Sequence, residues 1–171
     1  MAGSQAGLAE LIDSHYDSLY RYAYRLSGTS ADAEDLTQET FGKAIVSLEQ
    51  LRDAEKARGW LYRILRNAYL HRVRDEKRRR CVPLDSLGDL AAEKVETVAE
   101  IDPGALQAAL NELDETFRTP LILFYFEDFS YRDIAEQLEL PIGTVMSRLA
   151  RAKAYLRRRL AQYDHADHGA A

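Results

Sequence analysis

Apolar residues along this chain recur at three- and four-residue steps, and no stretch alternates with period two for long enough to suggest a strand. Leu8, Leu11, Ile12, Leu19, Ala23 and Leu26 trace one stripe of an amphipathic helix. Gly28-Thr29-Ser30 interrupts it and offers a cap, followed by Asp32, Glu34 and Asp35 where carboxylates meet the positive end of a helix dipole. Ala33, Leu36, Thr40, Phe41, Ala44, Ile45 and Leu48 predict the buried stripe of a second helix. A polar break from Arg52 to Gly59 precedes a third, with Trp60, Leu61, Ile64, Leu65, Ala68 and Val73 inward.

Periodicity then fails. Between Cys81 and Gly104 acids dominate and Pro83, Gly88, Pro103 and Gly104 punctuate, which reads as a flexible acidic linker. A second helical domain is expected from about Ala105: Leu106, Leu110 and Leu113 open it, an apolar helix follows around Leu121 to Phe126, and two more complete it. Ser130 to Leu160 reads as a helix-turn-helix. Ser130 caps a short helix with Ile134, Ala135 and Leu138 inward; Leu140-Pro141-Ile142-Gly143 makes the turn, its glycine supplying unusual backbone angles. Thr144 caps the next helix, Val145 and Leu149 pack inward, and Met146, Ser147, Arg148 and Arg151 face out where a recognition helix enters a major groove. Arginine there forks onto guanine, whereas Arg157–Arg159 suit phosphates. The tail beyond Leu160, with His165 and His168, is expected to fray.

Charge sharpens this picture. The total is −5, which argues against DNA until its distribution is read. Arg58 to Arg80 holds nine basic residues against Asp75 and Glu76, and Thr144 to Leu160 holds six (Arg148, Arg151, Lys153, Arg157, Arg158, Arg159) and no acid. A single charge run is usually a solvated helix face; two, each on a helical pattern, suit a polyanion. At 171 residues the chain is long enough for two small domains. Cys81 is its only cysteine, so no internal disulfide forms, and no apolar run spans a bilayer, leaving the cytoplasm as default. Neither cofactor nor metal is expected.

Two further patterns carry chemistry. Asp35, Gln38 and Glu39, at i, i+3 and i+4, share an outward stripe suited to a basic protein surface, although such a triplet taken alone is more often plain solvated helix. Trp60-Leu-Tyr-Arg-Ile-Leu-Arg-Asn67, followed by Tyr69, Arg72, Arg74 and Lys77–Arg80, interleaves rings, arginines and an amide, the ingredients for holding unpaired bases. The spacing of Trp60 fits the buried stripe, so core packing is the simpler role for it, whereas Arg66 and Asn67 fall off the stripe.

With these residues in view, Leu11–Arg80 resembles region 2 and Leu106–Leu160 resembles region 4 of the extracytoplasmic-function (ECF) sigma factors, an all-α architecture of a helical bundle and a helix-turn-helix. The resemblance implies a region 2 domain over 8–80, a linker over 81–104 and a region 4 domain over 105–161. It assigns Asp35, Gln38 and Glu39 to the coiled coil of the polymerase β′ subunit, and Trp60, Tyr62, Arg63, Arg66, Asn67 and Arg74 to the −10 element. It assigns Ser147, Arg148, Arg151, Lys153, Arg157 and Arg158 to the −35 element, through Ser-Tyr-Arg-Asp-Ile-Ala (130–135) and Pro-Ile-Gly-Thr-Val-Met-Ser-Arg-Leu-Ala-Arg-Ala-Lys (141–153). The implied partners are core RNA polymerase (β′ coiled coil and β flap), promoter DNA and an anti-sigma factor, with no membrane insertion. The implied function is that of an alternative, non-enzymatic initiation factor that reads the −35 element and reads and melts the −10 element. Glu139 stands where a glycine is common, and Met146 where many members carry a basic residue.

A conventional helix-turn-helix regulator explains Ser130–Leu160 equally well but leaves the Asp35/Gln38/Glu39 stripe and the Arg58–Arg80 island without a task. A DNA-processing enzyme needs a metal-binding carboxylate cluster or an activated nucleophile, and the candidates Asp32, Glu34, Asp35 and Glu39 sit on one helix with no partner motif. The linker acids Asp85, Asp89, Glu93, Glu96, Glu100 and Asp102, opposed by Lys94 alone, are expected to screen the basic helices at low salt.

Overall fold

A computed structural model describes residues 2–51, 53–80 and 101–167, with side chains over 9–76 (apart from 50, 52 and 54) and 101–162. The linker acids other than Asp102, and Cys81, lie outside the described residues, and the screening expectation with them. Among the described residues all regular structure is helical, and the chain divides into two units, Met1–Leu84 and Asp85–Ala171.

The first unit packs three helices: α1 (Ala2–Ser27), α2 (Ser30–Val46) and α3 (Ala57–Arg80). Gly28 stops α1 because it adopts φ 84°, open to a residue without a β-carbon, and its N–H donates to the Tyr24 carbonyl at 2.7 Å. Thr29 then caps α2, its hydroxyl accepting the Asp32 N–H at 3.2 Å. Leu19, Tyr22, Ala23 and Leu26 of α1 meet Ala33, Leu36 and Ala44 of α2 and Leu61, Tyr62, Leu65 and Ala68 of α3, all essentially without solvent contact. Thr37 and Thr40 are buried among them. Their hydroxyls donate to the carbonyls of Ala33 and Leu36, each at 2.7 Å, so no buried polar group is left unsatisfied.

Three expectations change here. Ile45 is 49 % exposed and its neighbour Val46 87 %, because α2 ends there and the chain leaves through a 3-10 turn, Leu48–Gln50. Tyr62 is buried, its ring centroid 4.8 Å from that of Tyr22, while Trp60 is only half-buried. The polar break is shorter than expected: a 3-10 turn, Ala54–Lys56, leads into α3 at Ala57, so Gly59 is already helical.

The second unit contains α4 (Pro103–Glu112), α5 (Glu115–Tyr125), α6 (Tyr131–Leu138) and α7 (Ile142–Asp167). Asp102 caps α4 by accepting the Ala105 N–H at 2.7 Å, and Pro103 occupies the first turn, where its missing N–H costs nothing. Pro103 and Gly104 therefore begin a helix rather than end the linker. Ala109, Leu110, Leu113, Leu121, Ile122, Leu123, Ile134, Val145 and Leu149 form the core. Glu112 ties α4 to α7: its carboxylate accepts from the Tyr155 hydroxyl and, through both oxygens, from the Arg159 guanidinium, each at 2.7 Å.

The turn between α6 and α7 also departs from expectation. Glu139, not Gly143, takes the left-handed conformation (φ 55°, ψ 46°), and Gly143 lies inside the first turn of α7 without a positive φ. Since α7 begins at Ile142, Thr144 is helical rather than its cap; its N–H donates to the Pro141 carbonyl at 3.0 Å. The helix runs on to Asp167 instead of fraying after Leu160, and the His165 side chain and His168 lie outside the described residues.

Candidate functional site

On α2 the sequence pattern puts Asp35, Gln38 and Glu39 on the side opposite Ala33, Leu36, Thr37, Thr40 and Ala44, which are buried. Asp35 is exposed and Gln38 half-buried. Gly42 shares that side, with open space where a β-carbon would point, and the exposed Ile45 and Val46 end it. Sequence reasoning assigned Ile45 to the core. Its place in the last turn, beside a polar stripe, was the signal that it belongs to the surface.

Glu39 is not a loose side chain. One carboxylate oxygen accepts from Lys43 Nζ at 2.7 Å and the other from Arg72 Nη2 at 2.9 Å, reaching across from α3. The hydrogen bond from Lys43, then that from Arg72, hold its carboxyl below the usual carboxylate range against a small opposing effect of burial.

The basic segment of α3 splits into two faces. Arg63, Asn67 and Arg74 are exposed and recur at i, i+4 and i+11, one stripe of the helix. Arg66 is half-buried beside them and donates to Asn67 Oδ1 at 2.9 Å, which orients the amide. Trp60 reaches the edge of this stripe. Tyr62 does not, since its ring is packed against Tyr22 and presents no free face to stack a base. Arg58 lies over the Tyr62 ring, 5.3 Å from its centroid.

On α7, Ser147, Arg151 and Arg158 are exposed at i, i+4 and i+11, directly opposite the buried Val145, Leu149 and Ala152. Arg157 is exposed on one flank, and Lys153 is exposed with its ammonium 5.8 Å from the centre of the Tyr125 ring. Two arginines have internal tasks that the sequence did not announce. Arg159, assigned to phosphates on spacing, is engaged by Glu112 and by Gln162 at 2.9 Å. Arg148 is half-buried and points Nη1 at the Thr116 carbonyl at 3.5 Å. That carbonyl lies four residues before Pro120, which has no N–H to give it, so the arginine approaches an acceptor that a proline leaves open.

This geometry, a helical unit with an acid-and-amide stripe and a basic stripe plus a unit whose last two helices form a helix-turn-helix, has family counterparts. Residues 11–79 match the family Sigma-70 region 2, and residues 104–156 match Sigma-70, region 4. The chain is 39 % identical over 176 aligned positions to the ECF RNA polymerase sigma factor SigE of Mycolicibacterium smegmatis, covering 94 % of this chain and 65 % of that relative. It is 35 % identical to the ECF RNA polymerase sigma factor SigL of Mycobacterium tuberculosis, covering 91 % of this chain and 90 % of the relative. The sigma factor RpoE of Bartonella quintana, solved in complex with the anti-sigma factor NepR, superposes with a TM-score of 0.72 at 28 % identity, covering 94 % of this chain and 98 % of that one. The protein is thus a member of the sigma-70 family built from regions 2 and 4. Within that family it belongs to the extracytoplasmic-function RNA polymerase sigma factors, transcription initiation factors that direct polymerase to promoters.

Proposed function

We propose that this chain carries out promoter-directed initiation through three separate surfaces, divided between a region 2 domain over 8–80 and a region 4 domain over 105–161. The outward side of α2, with Asp35, Gln38 and Glu39 as its polar part and Ile45 and Val46 as its apolar end, docks the coiled coil of the polymerase β′ subunit. Acid and amide groups there meet a basic partner, and exposed aliphatic side chains add desolvation. On α3, Arg63, Arg66, Asn67 and Arg74 hold the single-stranded −10 element, with Trp60 at the edge and Tyr62 supporting from the core. On α7, Ser147 and Arg151 read the −35 duplex while Lys153, Arg157 and Arg158 hold its phosphates and Arg148 fixes the helix to α5.

The observation that carries this reading is the division of labour on the surface. The acid-and-amide stripe and the basic stripes occupy different helices, so one molecule can engage a basic protein and DNA together. The chain acts through binding, without a reaction of its own, in the compartment of the polymerase, and the β flap and an anti-sigma factor are further partners. Run-off transcription with core polymerase on a promoter library tests the proposal. Discrete start sites that appear only with the protein support it; binding to duplex DNA with no dependence of transcription on the protein would make it a conventional regulator instead.

A further inference from the structure

Arg72 lies apart from the other arginines of α3. It follows Leu61, Leu65 and Ala68 at steps of eleven, seven and four residues, so it continues the buried stripe rather than the exposed one of Arg63, Asn67 and Arg74. Its side chain keeps 35 % of its exposure and ends on Glu39 at 2.9 Å, bridging α3 to α2. Lys43 holds the other Glu39 oxygen from within α2 at 2.7 Å. A carboxylate has about four acceptor positions, so two donors on separate oxygens fix its direction while leaving a free lone pair on each oxygen for a partner.

We propose that Arg72 is a positioning residue for polymerase binding: it holds Glu39 in one orientation on the outward side of α2 and so presents a pre-ordered carboxylate to a basic helix. This rests on the reading of that side as the polymerase contact. A free glutamate gives up rotamer freedom when it is immobilised at an interface, and Arg72 removes that cost before the encounter. The same bond joins the helix facing polymerase to the helix carrying the −10 residues.

The test is a double-mutant cycle on full-length protein, with affinity for core RNA polymerase as the readout. Arg72→Met keeps the apolar stem and removes the guanidinium, and circular dichroism checks that α3 persists. Arg72→Met is expected to weaken core binding about threefold to tenfold, the scale of one immobilised side chain. Glu39→Ala is expected to weaken it at least as much, and adding Arg72→Met to Glu39→Ala to change nothing further. Unaltered affinity for Arg72→Met, or fully additive losses, overturns the proposal while leaving Glu39 as a contact. Unaltered affinity for Glu39→Ala sinks the underlying reading instead. A charge exchange, Glu39→Arg with Arg72→Glu, provides the control for a purely internal role. It rebuilds the bridge with opposite polarity, so core binding should stay weak although the fold is intact, and recovery to the original affinity would overturn the proposal.

Discussion

Glu139 holds the turn of the helix-turn-helix at φ 55°, a conformation in which a β-carbon crowds the following carbonyl at a cost of about 1–2 kcal/mol. Glu139→Gly is therefore expected to stabilise the second unit by about 0.5–1 kcal/mol, part of the relief being offset by the greater freedom of glycine in the unfolded chain. A thermal melt should move up by a few degrees, and a lower midpoint would show that the Glu139 side chain contributes more than its backbone strain costs. Nothing in the sequence marked this position. The reading gave conformational freedom to Gly143, the glycine nearest the turn, because backbone strain at a glutamate leaves no trace in composition. Glu112 offers a second residue-scale test. Hydrogen bonds from Arg159 first, then from Tyr155, hold its carboxyl below the usual value of 4.5. With the folded value lowered, its contribution is complete above that usual value and disappears as pH falls through the lowered one. Glu112→Gln should cost a few tenths to about 1 kcal/mol at pH 7, in line with a solvent-screened pair, and nothing once both states are protonated. A deficit that persisted in acid would point to lost packing in place of lost charge.

At the scale of elements, helix existence was legible and helix edges were not. The stripes of α1, α2 and α3 follow directly from three- and four-residue spacing, and the Ser130 cap was visible because its side chain and that of Asp133 satisfy each other's backbone N–H groups. Pro103 misled because a proline that ends one segment is equally suited to begin a helix. The candidate site was legible as a set of helices and only partly as a set of residues, since spacing alone cannot tell a free arginine from one already engaged. Arg148 and Arg151 illustrate the difference and separate experimentally. Arg151→Ala is expected to cost about 1–3 kcal/mol on a consensus −35 duplex and to relax preference at one base pair. Arg148→Ala should lower the melting temperature and weaken binding evenly across sequences, because what it loses is the tie to the Thr116 carbonyl. If Arg148→Ala relaxed a single base preference with the melting temperature unchanged, it would be the reader. Asn67→Ala should leave −35 binding alone and reduce permanganate reactivity at the −10 element, as expected for an amide on the unpaired-strand face of α3.

At the scale of the whole molecule, Met1–Leu84 and Asp85–Ala171 each have a core of their own, with α1, α2 and α3 closing one and α4 to α7 the other. Composition suggested two domains, and the charge map suggested why: polymerase docking and single-strand binding fall in the first, duplex reading in the second. If each core is sufficient, fragments 1–84 and 85–171 should each be helical and unfold cooperatively by circular dichroism. Fragment 1–84 should bind core polymerase nearly as well as the intact chain, and fragment 85–171 should bind −35 duplex weakly, with the steep salt dependence of phosphate contacts. Transcription should not survive the cut. In the intact chain, docking of the first unit holds the second near the promoter at an effective concentration of roughly millimolar for a short connection. Separate fragments at micromolar concentration forfeit about a thousandfold of that advantage. Run-off yield from an equimolar mixture should therefore fall far below that of the whole chain and recover only as fragment 85–171 approaches millimolar levels. Equal yields at micromolar concentration would mean that polymerase itself recruits the second unit strongly enough to make the covalent connection dispensable.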